Sequence, residues 1–373
     1  MAVFGIVDSQ YIDVTPNIDL KYLHRAETAD GTTFDELIPL INAPLRAYNA
    51  AIPPEIAELT APATIKVSIR GKGTGVFEVN RNAEYDVERP QRPSLPFAHG
   101  LAIWANTASM EWTEDGLRNM VADDVVGEVE EALNGFRLQN LRDCYARLFD
   151  PTEVPVDDQE LTQMTSPGFA GSGTGYNAFQ IKYDPKLRPL SPGYSHYWAC
   201  TPANIAATLT AIVKQHRLWY PTGNLEMVLS QALAVLVQGI GEAGGFVRAE
   251  RAFIREGANN TTSTVDPTVY LGVFSTPYGP LLIRRPVLDW SDLNGFIFQP
   301  QGNLNTRNPL VYRYNPKWGK GAYLRSRGQY PLSQSVIVER GGWNVNNRVA
   351  VELLRVDPSA TYAPPAGFSA LGT

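Results

Sequence analysis

The chain has 373 residues, 44% of them hydrophobic and 19% charged, so it carries enough apolar mass for a sizeable core and does not read as a disordered polymer. Its formal net charge is −6 and it contains no run of five basic residues, which argues against sequence-specific nucleic-acid binding, a task that needs a clustered positive face. Two cysteines, Cys144 and Cys200, are too few for a disulfide framework, and no apolar run reaches the ~18 residues a membrane span requires.

The opening MAVFGIVDSQYIDV lacks a basic region followed by an apolar core, so no secretory signal is expected, and the setting reads as cytoplasmic and reduced. Residues 1–58 read as an arm with little core of its own. Within it, residues 34–48 are interrupted by Pro39 and Pro44, which predicts at best a pair of short helical turns. Next, Ile65, Val67 and Ile69 alternate with Lys66, Ser68 and Arg70, a strand with one apolar face. Glycines at 71, 73 and 75 turn the chain, and residues 76–79 return as the second strand of a hairpin. Pro90, Pro93 and Pro96 enforce an extended passage, and residues 101–112 lead onward.

Residues 113–148 form the stretch around which the rest is organised. No proline interrupts it, and Leu117, Val121, Val125, Val129, Leu133, Phe136, Leu141, Tyr145 and Leu148 recur at helical spacing. Thr113 is the expected N-cap, with Glu114 and Asp115 at the positive end of the dipole and Arg142 and Arg147 in the last turns. Such a helix would run roughly 50 Å. Gly127 and Gly135 inside it mark places where it bends or is closely approached. Cys144 falls on its apolar side and reads as a buried thiol.

Residues 150–193 are rich in Pro, Gly, Asp and Ser and read as loop, with one short strand at 178–183. A second domain begins near Tyr194. Thr201-Pro202 is a helix start, followed by an apolar face of Ile205, Leu209, Ile212, Val213 and His216. A short strand at 225–229 precedes Ser230, which caps a helix through Val237. Strands are expected at 268–275, 279–285, 296–299, 310–314, 335–339 and 348–356. Residues 357–373 form a Pro/Ala/Gly/Ser tail expected to be mobile.

Few residues point to chemistry. Gly239, Gly241 and Gly244 fit G-x-G-x-x-G, but a helix rather than a strand precedes them, so a glycine-rich helix terminus competes with a dinucleotide loop. The four histidines, His24, His99, His196 and His216, show no metal-ligand spacing, and neither cysteine lies in a nucleophile signature. No catalytic, cofactor or metal residue is assigned.

The order of elements resembles the major capsid protein of tailed bacteriophages, the Hong Kong 97-type fold that encapsulins share. The resemblance rests on the arm, the hairpin, the spine, the passage from Thr201 through LEMVLS to the glycine-rich break, and the closing WNVNNRVAV. It implies an α+β chain with an N-terminal arm (1–58), an extended β-hairpin loop and lead-in (59–112), and a long spine helix with the peripheral domain (113–193). A mainly axial domain (194–335), return strands to the peripheral domain (336–357) and a mobile tail (358–373) complete it. It implies a shell subunit forming hexamers and pentamers around double-stranded DNA contacted non-specifically. A separate scaffolding protein, a portal and a decoration protein would be partners. Virion localisation with assembly in the host cytoplasm follows, without membrane or cofactor. Contacts between copies are expected at Lys66, Arg70, Lys72 and Phe77 of the hairpin and at Phe34 and Ile38 of the arm. An encapsulin-like compartment is the first alternative, a dinucleotide-dependent enzyme the remote one.

Overall fold

The computed structural model describes residues 12–14, 27–70, 97–150, 154–155, 165–166, 197–219, 222–256, 261–285, 288, 290–316, 319–329, 332–346, 350–357, 364–366 and 368. It is an α+β fold in which two mixed sheets share one long helix.

Helix α1 (Phe34–Ala50) is continuous across Pro39 and Pro44, which corrects the expected pair of short turns. Each proline removes one i→i−4 hydrogen bond at a cost of about 3 kcal/mol. Leu37, Ile41, Leu45 and Tyr48 return at spacings of three and four and are buried to 7% exposure or less against the long helix. Burying four such side chains contributes about 6–12 kcal/mol, which outweighs two missing hydrogen bonds. A capping box also starts the helix, with Glu36 Oε2 accepting from the Thr33 backbone N–H at 2.9 Å. Helix α2 (Pro54–Leu59) follows, with Pro54 at its first position.

The spine starts later than expected. Strand Trp104–Thr113 runs through the residue proposed as N-cap, α3 (Glu114–Asn119) is a short separate turn, and α4 (Ala122–Phe149) is the 28-residue spine. Residues 29 and 30, together with Asp124 of the helix itself, cap the break. Asp30 Oδ2 accepts from Ala122 N–H at 3.3 Å, Asp124 Oδ2 accepts from Val121 N–H at 3.3 Å, and Ala29 N–H donates to the Met120 carbonyl at 2.8 Å. These contacts satisfy orphan groups that a helix end leaves open. The segment expected to be an arm with little core places Leu37, Ile41, Leu45, Tyr48, Ile56 and Leu59 in the chain's own core. The expected stripe is buried throughout α3 and α4 except at Val121, which sits outside the helix and is 39% exposed. Gly127 and Gly135 are not closely approached, since a Cβ at either would meet no atom within 4 Å. Gly127→Ala and Gly135→Ala should therefore each raise the stability of the isolated chain by about 0.5–1 kcal/mol, read as a rise in thermal midpoint.

The first half of α4 packs with α1 on a six-stranded sheet. That sheet runs Ile12–Val14, Ala322–Gln329, Leu332–Val345, Leu310–Tyr314, Thr60–Ala63, with Trp104–Thr113 added antiparallel along Leu332–Val345. The second half of α4 packs on a seven-stranded sheet in the order Phe246–Arg248, Tyr270–Thr276, Gly279–Arg284, Leu225–Leu229, Asn294–Phe298, Val351–Val356, Tyr197–Cys200. Its central strands are buried on both faces. Leu225, Met227, Leu229, Ile297 and Leu354 face α5 (Ile205–Trp219) and α6 (Gln231–Gly239), while Val228, Phe296, Phe298 and Leu353 face α4. The expected face of α5 is fully buried, and Ser230 caps α6 by accepting from Leu233 N–H at 3.1 Å.

Other boundaries moved. The strand expected at 335–339 is the 14-residue Leu332–Val345, and the return segment 336–357 divides between the two sheets, with Val351–Val356 joining the seven-stranded one. The tail expected to be mobile is anchored where it is described. Phe368 is 4% exposed, with its ring 5.6 Å from Phe149 and 5.9 Å from Trp290, and Ala366 N–H donates to Asp292. The strand expected at 178–183 and the hairpin return at 76–79 lie outside the described residues. Among those described, Val67–Arg70 pairs with Phe97–Gly100.

Candidate functional site

Residues 67–70 and 97–100 form a two-stranded pair that belongs to neither large sheet, with Val67 opposite Gly100 and Arg70 opposite Phe97. A segment with so little core cannot hold its own direction, so its base must. On the entering side, Thr60–Ala63 runs parallel to Leu310–Tyr314, with Ala63 opposite Arg313. On the leaving side, Leu101 N–H donates to the Lys66 carbonyl at 2.9 Å, and Leu101 and Ala102 are at most 2% exposed.

Two polar side chains that sequence reasoning did not single out lock this base. Arg313, 3% exposed, donates through Nη1 to the Leu101 carbonyl. Asn344, fully buried, uses its whole amide. Its Oδ1 accepts from Ala102 N–H at 2.7 Å, and its Nδ2 donates to the carbonyls of Ala102 and Gly342, each at 3.0 Å. The signal was a polar residue inside an apolar strand, preceded by a glycine pair. A Cβ on Gly342 would lie 2.2 Å from the Ala102 carbonyl oxygen, so only glycine lets the two backbones meet. Gly342→Ala should push Ala102 off Asn344 and cost about 1–3 kcal/mol, measured as a fall in the urea midpoint of the purified chain.

A second anchor joins α2 to the seven-stranded sheet. The Arg284 guanidinium bridges Glu58 of α2 at 2.5 Å and Glu226 of the central strand, and Tyr270 donates its hydroxyl to Glu226 at 3.1 Å. Burial pushes the Glu226 carboxyl above its usual range, while Arg284 pulls it back down. A third buried carboxylate, Glu339, joins four elements. One of its oxygens accepts from Tyr48 of α1 and Asn140 of α4, both at 2.8 Å, and the other from Tyr312 at 3.0 Å.

The residues expected at contacts between copies divide into two groups. Lys66 is exposed at the foot of the hairpin pair and Arg70 lies at its far end; Lys72 and Phe77 fall outside the described residues. Phe34 opens α1, and Ile38 lies one turn on, half-buried. The glycine motif occupies the end of α6 and the turn after it, with Gly241 and Gly245 at φ 66° and 101°. That is the negative end of a helix, where a pyrophosphate is repelled rather than held, so the dinucleotide reading fails on geometry. Among the described residues no group of three or more potential ligands is placed to hold a metal, and no helix is long and apolar enough to cross a membrane.

No family model matches the sequence, and no curated protein matches it. Among solved structures the chain is similar to one described as Mycobacterium phage Patience, at 16% identity and a TM-score of 0.59, over 93% of this chain and 94% of that one. At that score and coverage the two share a fold. Similarity extends to the capsid of an empty GTA particle (12% identity, TM-score 0.46, 82% of this chain and 91% of that one). It also extends to the holo-SrpI encapsulin complex of Synechococcus elongatus (12% identity, TM-score 0.42, 84% and 91%).

Proposed function

We propose that the chain is the self-assembling subunit of an icosahedral phage shell, a major capsid protein of the Hong Kong 97 type that encloses double-stranded DNA. The observation that carries this reading is the fold shared with the Mycobacterium phage structure over 93% of this chain. The locked base of the 67–100 segment supports it. Two buried polar side chains and a glycine contact hold the backbone where the paired strands at 67–70 and 97–100 join the six-stranded sheet. In this reading α4 is the stiff frame, and the hairpin reaches a neighbouring copy through Lys66, Arg70, Lys72 and Phe77. Phe34 and Ile38 contribute contacts from the arm. The role is mechanical rather than enzymatic. Copies form hexamers and pentamers with a separate scaffolding protein, a portal and a decoration protein, assembled in the host cytoplasm and ending in the virion. A net charge of −6 suits a container that touches its DNA without gripping it.

Electron microscopy of the purified chain, alone and co-expressed with its gene neighbours, tests this. Closed shells or capsomer rings are the expected result. A uniform monomer or dimer in both preparations would overturn it.

A further inference from the structure

Between the end of α1, the middle of α4 and the six-stranded sheet lies a half-open cavity of about 70 Å³. Its apolar wall includes Ile52, Leu304 and Trp343, and its polar floor is Glu339. That carboxylate already accepts three hydrogen bonds, from Tyr48, Asn140 and Tyr312. Two cations also line the cavity, Lys320 and Arg137. Arg137 lies over the Tyr48 ring at 5.6 Å and donates to Asn134, and Lys320 is half-buried. Among the described residues neither has a carboxylate within ion-pair distance. Burial holds the Lys320 amine below its ordinary range, and the more distant Glu339 charge offsets this only in part. The wall carries a second unusual feature. Leu304 has φ 55°, the one positive φ at a non-glycine residue among those described, held by its N–H donating to the Ala57 carbonyl at 2.7 Å. Backbone strain of this kind persists where the surroundings over-determine it, often at binding sites.

A cavity with apolar walls and two cations that lack a carboxylate within ion-pair distance, one half-buried and one at its open side, fits a group with a carbon stem and an anionic tip. A free inorganic anion would satisfy the cations but leave the walls uncovered. We propose that the cavity receives an acidic side chain of a neighbouring copy of this chain, its carboxylate between Lys320 and Arg137 and its stem against Ile52, Leu304 and Trp343. Charge complementarity favours a second copy. The chain is acidic overall and displays exposed carboxylates such as Asp123, Asp124, Glu130 and Glu131, so copies repel one another unless acids on one meet cations on the next. The proposal rests on the shell reading above.

The test uses shells assembled from an equal mixture of isotopically light and heavy chains. They are treated with a carbodiimide, which joins an amine directly to a carboxylate, and analysed by mass spectrometry. The expected result is a Lys320 peptide joined to an Asp or Glu peptide in mixed light–heavy pairs. Lys320→Gln with Arg137→Gln should in parallel raise the protein concentration needed for assembly by about tenfold while leaving the thermal midpoint of the unassembled chain in place. Shells that form normally but show Lys320 unmodified, or joined only to Glu339 of its own chain, would overturn the proposal and leave the shell reading standing. Failure of the unaltered chain to assemble would overturn both.

Discussion

Arg284→Leu should lower the unfolding free energy by about 3–5 kcal/mol, because it strands Glu226, and partly Glu58, without a counter-charge in the interior. Glu226 is 6% exposed and Arg284 8%, so water cannot compensate. The guanidinium also lies over the rings of Tyr270 at 5.8 Å and Phe298 at 5.9 Å, contacts that leucine keeps only as apolar packing. The opposing effects on Arg284 are plain: burial disfavours its charge, and Glu226 and Glu58 more than restore it. The measurement is the urea midpoint of the purified chain. Adding Glu226→Gln and Glu58→Gln should recover much of the loss, since replacing a whole buried ion cluster is far milder than breaking it. A single variant that unfolds within about 1 kcal/mol of the unaltered chain would show that the cluster is not the anchor of α2.

The second large effect concerns pH. Asp143 lies on α4, one turn from Asn140, and is 5% exposed. Burial is the main cause that pushes its carboxyl up to about 6, reinforced by the nearby Glu339 charge and opposed by the amides of Gln139 and Asn106 and by Arg142. Gln139 donates at 2.7 Å. The folded chain therefore holds this proton more tightly than the unfolded chain, whose carboxyl titrates near 3.8. Stability from this group is full below about pH 4 and is lost as pH rises through 6. Over that window the loss amounts to roughly 3 kcal/mol. Asp143→Asn removes the titration while keeping an acceptor for Gln139. The variant should match the unaltered chain near pH 4 and exceed it by about 2–3 kcal/mol at neutral pH. The difference between the two stability–pH curves isolates Asp143 from other groups. A flat difference would refute the assignment.

What could be read from the sequence followed hydrophobic contrast. The first half of the spine declared itself because Val125, Val129, Leu133 and Phe136 alternate with acids and amides on an open face, whereas from Asp143 to Phe149 the helix is buried on every side, Arg147 included. Helix α5 and the capped α6 were legible for the same reason, together with Thr201-Pro202 and Ser230. Strand Trp104–Thr113 escaped because the contrast is blunt. Asn106 and Ala108 share the covered face with Trp104, Met110 and Trp112, while Ala105, Thr107 and Ser109 occupy the other. Ala322–Gln329 escaped because Arg325, Arg327 and Gly328 sit in it. In α1 a strong local rule about proline lost to tertiary burial, which no local window contains. The strand at 67–70 was legible, but its described partner is Phe97–Gly100 rather than the return expected at 76–79, which lies outside the described residues. Leu101 and Ala102, gripped by the core, follow that partner directly. Arg313 and Asn344 stood out only as polar residues inside apolar strands, and what they hold could not be read in advance. Their partners are backbone groups more than two hundred residues away in sequence.

Strand Trp104–Thr113 continues directly from the hairpin and is laddered to Leu332–Val345 from Thr113 opposite Leu332 to Trp104 opposite Gly341. A pull directed along this strand loads the ladder in shear. The hydrogen bonds run across the strands and share such a load, so they must fail together rather than one after another, as they would if the strand were peeled from its end. Leu332–Val345 spreads the same load to Ala322–Gln329 and Leu310–Tyr314. A container wall under internal pressure is stretched in its own plane. In the shell reading proposed above, attachment through the hairpin would be rooted in a bonding geometry that resists in-plane stretching and yields most readily when a strand is lifted out of it.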